Sequence, residues 1–249
     1  MNKLPALLAL IVLFSFATPC VIAREFYELR VYEPTMGSLP TLEKYLSEAL
    51  IPALNRQGVK NVGVFRETGK NEPPLVYVLI PYASMNDFEK VKEGLAKEDE
   101  YRKASDSYDK VGVEKPVYFR YETSFMHAFE GLPKMVVPEK KPRIFELRIY
   151  QGYSDDAVRR KVKMFNDEEF KIFYATKLNP VFFGEVVAGK DLPCLAYMIT
   201  FKDMEERDAN WKAFGANPDW QRILKDPQYA NTVSKIVRVF LEPMACSQI

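Results

Sequence analysis

Two short stretches carry the side chains best suited to chemistry, Glu28-Leu29-Arg30-Val31-Tyr32 and Glu146-Leu147-Arg148-Ile149-Tyr150. Side chains alternate across an extended strand, so carboxylate, guanidinium and phenol share one face in each stretch. Charges on a covered face need partners, and two readings stay open. In one, Arg30 and Arg148 clamp a carboxylate or similar anion, with Glu28, Glu146, Tyr32 and Tyr150 around it. In the other, Glu28–Arg30 and Glu146–Arg148 satisfy each other and neighbouring strands. Trp211, Phe214 and Trp220, with Phe182 and Phe183, supply aromatic surface that lines a pocket or fills a core. His127 is the only histidine. That excludes a His-rich metal site and any two-histidine dyad, and no partner for it is visible in the sequence. There is no P-loop, no G-x-G-x-x-G after a strand, no C-x-x-C and no G-x-S-x-G. The residues therefore lead us to expect no metal and no cofactor, and a bound small anionic or aromatic ligand instead.

The elements that position these groups occur twice. Glu-Leu-Arg-(Val/Ile)-Tyr returns 118 residues on, from Arg30 to Arg148. Met85 aligns with Met204, and Tyr101 with Trp220, at 119 residues, which marks a duplicated unit. Each unit opens on a strand (26–33; 143–151), continues with an amphipathic helix and two strands (61–67 and 75–81; 180–188 and 194–201), then a second helix and a closing strand (116–123; 234–242). Leu39, Leu42, Leu46, Leu50, Ala53 and Leu54 form the stripe of the first helix. Asp203-x-x-Glu206 reads as a capping box, and Asn217-Pro218 and Asp226-Pro227 as further helix starts. The order βαββαβ, twice, predicts an α+β protein of two tandem ferredoxin-like repeats. The apolar faces (Tyr27, Leu29, Val31; Phe145, Leu147, Ile149) are expected to pack on helices, leaving the Glu-Arg-Tyr faces to look toward an opposing sheet. Under offset 119, Lys92 and Tyr101 stand where the second copy has Trp211 and Trp220, so any site is expected to be one-sided.

The chain has 249 residues, with 35 Lys+Arg against 34 Asp+Glu. That balance gives no pull toward nucleic acid or anionic lipid. Residues 1–23 read as a signal peptide: a basic start, the apolar run Leu4 to Phe16, and small or branched residues before a cut after Ala23. The run is too short to span a membrane. The chain is thus expected to be exported, periplasmic or secreted, with no membrane association after cleavage. The expected domains are 24–123 and 143–249, joined by a connector over 124–142.

The strand Phe145-Glu146-Leu147-Arg148-Ile149-Tyr150 resembles the NIPSNAP family, as does Leu178-Asn179-Pro180-Val181-Phe182-Phe183-Gly184-Glu185. The same holds for Asp208 to Phe214 leading into Asn217-Pro218-Asp219-Trp220. Lys60 to Phe65 is similar to the second-strand motif, and Ser247-Gln248-Ile249 to the end of exported bacterial members. The resemblance covers residues 25–249. It implies a dimeric α/β-barrel architecture with two ferredoxin-like sheets facing each other. The wider superfamily includes cofactor-free oxygenases, haem-binding enzymes and stress-response barrels, while the family itself has no agreed reaction. The resulting expectation is a non-catalytic small-molecule-binding or protein-interaction module. The alternative is a cofactor-free enzyme of oxygenase or isomerase type acting on a small anionic or aromatic substrate, held by Arg30 or Arg148. Homo-oligomerisation is expected, invited by free sheet edges.

Cys194 stands at the start of a third strand and Cys246 past the end of a fourth. A strand of about seven residues separates such ends by roughly 20 Å, and a disulfide needs Cα atoms within about 7 Å. Thiol titration of residues 24–249 in denaturant is therefore expected to find both cysteines free; finding neither would contradict the strand order.

Overall fold

The structure is a computed structural model that describes residues 23–69 and 71–249. The segment 1–23, read as a signal peptide, lies outside the described residues apart from Ala23. Eight strands carry the fold: β1 (Phe26–Pro34), β2 (Gly63–Glu67), β3 (Val76–Tyr82), β4 (Tyr118–Ala128), β5 (Ile144–Gln151), β6 (Asn179–Ala188), β7 (Cys194–Phe201) and β8 (Lys235–Pro243). They close into one antiparallel barrel in the order β1-β3-β2-β8-β5-β7-β6-β4. Glu28 faces Ile80 across β1 and β3, and Glu146 faces Ile199 across β5 and β7. The outer strands of each half pair with the other half, β2 with β8 and β4 with β6. The free sheet edges expected to invite a second chain are therefore consumed in closing the barrel, because paired backbone groups leave no template for addition. β4 also runs on through Ala128, into the segment read as connector, because its last residues pair with β6.

Helices cover the outside. In the first half they are α1 (Leu39–Lys44), a π-helical turn (Tyr45–Leu50), α2 (Ile51–Arg56), α3 (Met85–Lys97) and α4 (Asp99–Asp109). In the second they are α5 (Asp155–Met164), a π-helical turn (Phe165–Glu169), α6 (Phe170–Ala175), α7 (Met204–Ala216) and α8 (Pro218–Ile223). The starts follow local chemistry. Ser84 and Asp203 accept from the backbone N–H groups of Asp87 and Glu206, and Asn217 accepts from those of Asp219 and Trp220. Each satisfies donors that a helix start leaves unpaired. No helix among the described residues is long and apolar enough to cross a membrane.

The sheet faces are the reverse of those expected from the sequence. Tyr27, Leu29, Phe145 and Leu147 point into the barrel lumen with Phe65, Phe182 and Met198. Phe26 and Tyr32 pack under the helices of the first half, and Tyr150 under those of the second. An eight-stranded barrel is just wide enough to be filled by side chains. Its dry interior offers charges no donors, whereas covering helices bring long polar side chains to them. Glu28, Arg30, Glu146 and Arg148 therefore lie on the helix side, with no opposing sheet before them. Arg30 and Arg148 consequently sit in separate halves and share no pocket.

Cys194 and Cys246 are both free. Gly184 on β6 lies opposite Ala128 at one seam between the halves, and a Cβ there would stand 2.7 Å from the Met126 Cβ. Met126 is fully buried in the lumen and its Cβ cannot swing away. Gly184→Ala is expected to lower stability by about 1–3 kcal/mol through overpacking, read as a lower urea midpoint at unchanged slope.

Candidate functional site

Beneath the helices of the second half lies a cleft of about 410 Å³, within the usual range of small-molecule sites. Its base is the β5–β7 face, through Arg148, Tyr150 and Tyr197. Its walls come from α5 and the π turn (Lys161, Glu169), α7 (Trp211, Phe214) and α8 (Trp220). Both tryptophans of the chain line it. Trp211 and Phe214 meet edge to face at 5.4 Å, and Phe214 lies 4.5 Å from Trp220. The aromatic surface left open in the sequence reading thus divides. Trp211, Phe214 and Trp220 frame the cleft, Phe183 packs behind it on Tyr197, and Phe182 turns into the lumen against Tyr27.

The ion pair of the second copy differs from that of the first. Arg207 of α7 grips Glu146 with two nitrogens, at 2.9 and 3.1 Å, and the Trp211 Nε1–H donates to the same carboxylate at 3.0 Å. The Glu146 side chain has no exposure. Arg148 approaches the same carboxylate only to 3.5 Å and lies over the Trp211 ring, 4.3 Å from its centroid. Among the described residues the buried Arg148 Nε has no hydrogen-bond acceptor, an unusual state for a buried donor.

Lys161 and Glu169 supply a second buried pair in the same wall. Lys161 lies over Phe165 at 4.6 Å and over Trp220 at 5.5 Å. Burial holds the Glu169 carboxyl above its ordinary range, opposed by Lys161 and Arg148. The Tyr150 and Tyr197 hydroxyls share a hydrogen bond at 2.8 Å. Burial raises both phenols, so they remain protonated near neutrality and act as donors and acceptors rather than as bases.

The first half lacks this arrangement for reasons visible position by position. Offset 119 puts Phe88 where α7 has Arg207, and Lys92 where it has Trp211. Without those donors Glu28 takes Arg30 itself, at 2.6 and 3.0 Å, and the Tyr82 hydroxyl at 2.9 Å. Aligning the π turns at Tyr45 and Phe165 places Thr41 and Ala49 where Lys161 and Glu169 stand. Tyr45 stacks on Tyr108 at 3.7 Å and hydrogen-bonds Tyr101 at 2.9 Å, while Tyr32 stacks on Tyr121. Arg30 and Glu28 thus pair with each other at the wall of a separate cleft of about 400 Å³, beside Phe88, Lys92 and Tyr121, and Tyr32 belongs to a tyrosine cluster. His127 sets its ring edge against Phe26, outside the cleft. Lys161 and Glu169 are the functional candidates that the sequence reading missed. The faint signal was an apolar helical stripe interrupted by a Lys and a Glu. Among the described residues no group of three or more His, Cys, Asp or Glu side chains is placed to hold a metal.

A family model described as NIPSNAP matches residues 27–115 and 145–248. The fold is similar to that of a candidate monooxygenase from Lactobacillus acidophilus, at TM-score 0.59 and 9% identity over 88% of this chain and 94% of that one. A candidate monooxygenase from Fusobacterium nucleatum gives TM-score 0.58 and 8% identity over 90% and 94%. These likenesses concern the fold alone. An uncharacterized NIPSNAP-like domain protein from Burkholderia xenovorans is 23% identical over 42% of this chain and 87% of its own, at TM-score 0.37. No curated protein matches the chain.

Removing one partner of a buried ion pair costs about 3–5 kcal/mol, whereas replacing both by apolar residues is often neutral. Lys161→Met alone is therefore expected to destabilise by that amount, and Lys161→Met with Glu169→Met to recover most of it. Urea unfolding of both variants checks this; a harmless single substitution would show that the pair is not buried as described.

Proposed function

The chain belongs to the NIPSNAP family, and on that premise we propose that it is an exported, non-catalytic binding protein built on two tandem ferredoxin-like repeats. The ligand is a small molecule with an aromatic or alicyclic body and one anionic group, bound in the second-half cleft. The observation that carries this is the unpartnered Arg148 Nε in a cleft walled by Trp211, Phe214 and Trp220. The buried charges support it. Three cations, Arg148, Arg207 and Lys161, meet two buried carboxylates, Glu146 and Glu169, and the remaining partner of Arg207 is the exposed Asp208. An anion beside Arg148 would complete the set and give Nε its acceptor, while the ligand ring would stack on the aromatic wall. An oxygenase or isomerase reading, to which the fold likeness to candidate monooxygenases lends only architecture, would need a base. The protonated Tyr150–Tyr197 pair does not supply one, and Glu169, the carboxylate in the cleft wall, is tied to Lys161. Export rests on the segment 1–23, and association of copies remains part of the proposal.

The test is native mass spectrometry of gently purified residues 24–249, followed by calorimetric titration with naphthoate and with naphthylmethanol. Saturable binding of naphthoate is expected, with naphthylmethanol weaker. Arg148→Lys keeps the charge beside Glu146 and loses the Nε donor. It should weaken naphthoate about tenfold or more, the worth of one charge-assisted hydrogen bond at about 1.5–3 kcal/mol. A clean apo mass with no heat from either probe would move the function to protein–protein interaction. The same spectrum reads the subunit number.

A further inference from the structure

The barrel lumen is packed at one end and hollow at the other. Its floor is filled by Tyr27, Phe65, Phe145, Phe182 and Met198. Toward the ends of β1 and β5 the inward residues shrink to Val31, Ile149, Val237, Val239, Ala196 and Cys194. They leave a cavity of about 210 Å³, where a barrel of this size otherwise either fills itself or holds one small ligand. The wall is mostly aliphatic, with Met126, the aromatic ring of Tyr77 and the hydroxyl of Ser124 in it, unlike the aromatic cleft beneath the second-half helices, and β5 and β7 separate the two sites.

Among the described residues the mouth is acidic, with Glu33, Glu72, Glu122 and Asp191 around it and its outer continuation against Arg120 and Lys190. Lys190 reaches Glu122 at 2.9 Å, so an ammonium on an aliphatic stem already occupies the entrance. Both partners are more than half exposed, and such a surface pair contributes little to stability. An incoming ammonium can take over Glu122 at small cost, whereas a carboxylate would meet the acidic excess.

We propose that the hollow end of the lumen is a second ligand site, which takes a straight aliphatic chain with an ammonium head. The chain replaces contacts that the small wall residues forgo, and the head pairs with Glu122 and Asp191. The site does not depend on the ligand-binding reading of the cleft.

Cys194 provides the readout. Its side chain lines the cavity, and burial pushes its thiol up to about 11, so alkylation is slow and sensitive to access. In a Cys246→Ser background, alkylation of Cys194 by N-ethylmaleimide would be followed with decylammonium, decanol and decanoate below their micellar concentrations. Decylammonium is expected to slow the reaction about tenfold in a saturable way, and decanoate to leave it unchanged. Val237→Phe, which fills the cavity from a half-buried position, should abolish the response. If that variant does not fold, Glu122→Gln carries the test by weakening decylammonium severalfold. Emission from the tryptophans, both in the cleft, should stay constant throughout. No protection, protection by decanoate equal to that by decylammonium, or a saturable emission change without protection of Cys194 would each overturn the proposal.

Discussion

The organisation of the second half depends on one carboxylate. Glu146 projects from β5 into a space with no access to water, and a bare charge there is untenable. Arg207 and Trp211 of α7 answer it from above, which ties the helix to the sheet in one register and one orientation. With Glu146 hydrogen-bonded by α7, Arg148 keeps only a longer ion-pair contact with it, at 3.5 Å. It turns over Trp211 and keeps an unused donor. The helix, rather than the strand, supplies the hydrogen bonds of this carboxylate.

The first half shows the same strand under the other solution. Phe88 and Lys92 occupy the positions of Arg207 and Trp211, so Glu28 closes on Arg30. Under the same helices Tyr45 stacks on Tyr108 and hydrogen-bonds Tyr101. A duplicated scaffold has therefore kept its Glu-Arg pair in both copies, with a cleft over each, about 400 Å³ in the first half and about 410 Å³ in the second; among the described residues the buried guanidinium nitrogen without an acceptor is in the second. The divergence lies in the helices, whose outer residues change without disturbing the sheet.

Closure of the barrel sorts everything else. It joins the halves through β2–β8 and β4–β6 and makes the packed end of the lumen an apolar compartment lined by Leu29, Phe145 and Leu147. The polar strand faces are left to the helix side. This is why alternation along β1 and β5 identified two faces correctly and assigned them the wrong way round. Period-two alternation separates the faces of a strand, and it carries no information on which face a helix or another sheet will cover. The aromatic run at Phe182-Phe183 shows the same limit, with adjacent rings serving lumen and helix layer respectively.

The sequence by itself determined the repeat, the order of strands and helices, and the helix starts at Asp203 and Asn217. These follow from local periodicity, from short-range hydrogen bonding and from comparing the two copies. Tertiary structure alone decided that the two sheets close into one barrel, that Arg30 and Arg148 never meet, and that Lys161 and Glu169 join Trp211 and Trp220 around one cleft. The physical reason is distance along the chain. The partners of Glu146 lie some sixty residues away on another element, and only the packing of α7 on the sheet, with the desolvation it imposes, selects which guanidinium the carboxylate takes.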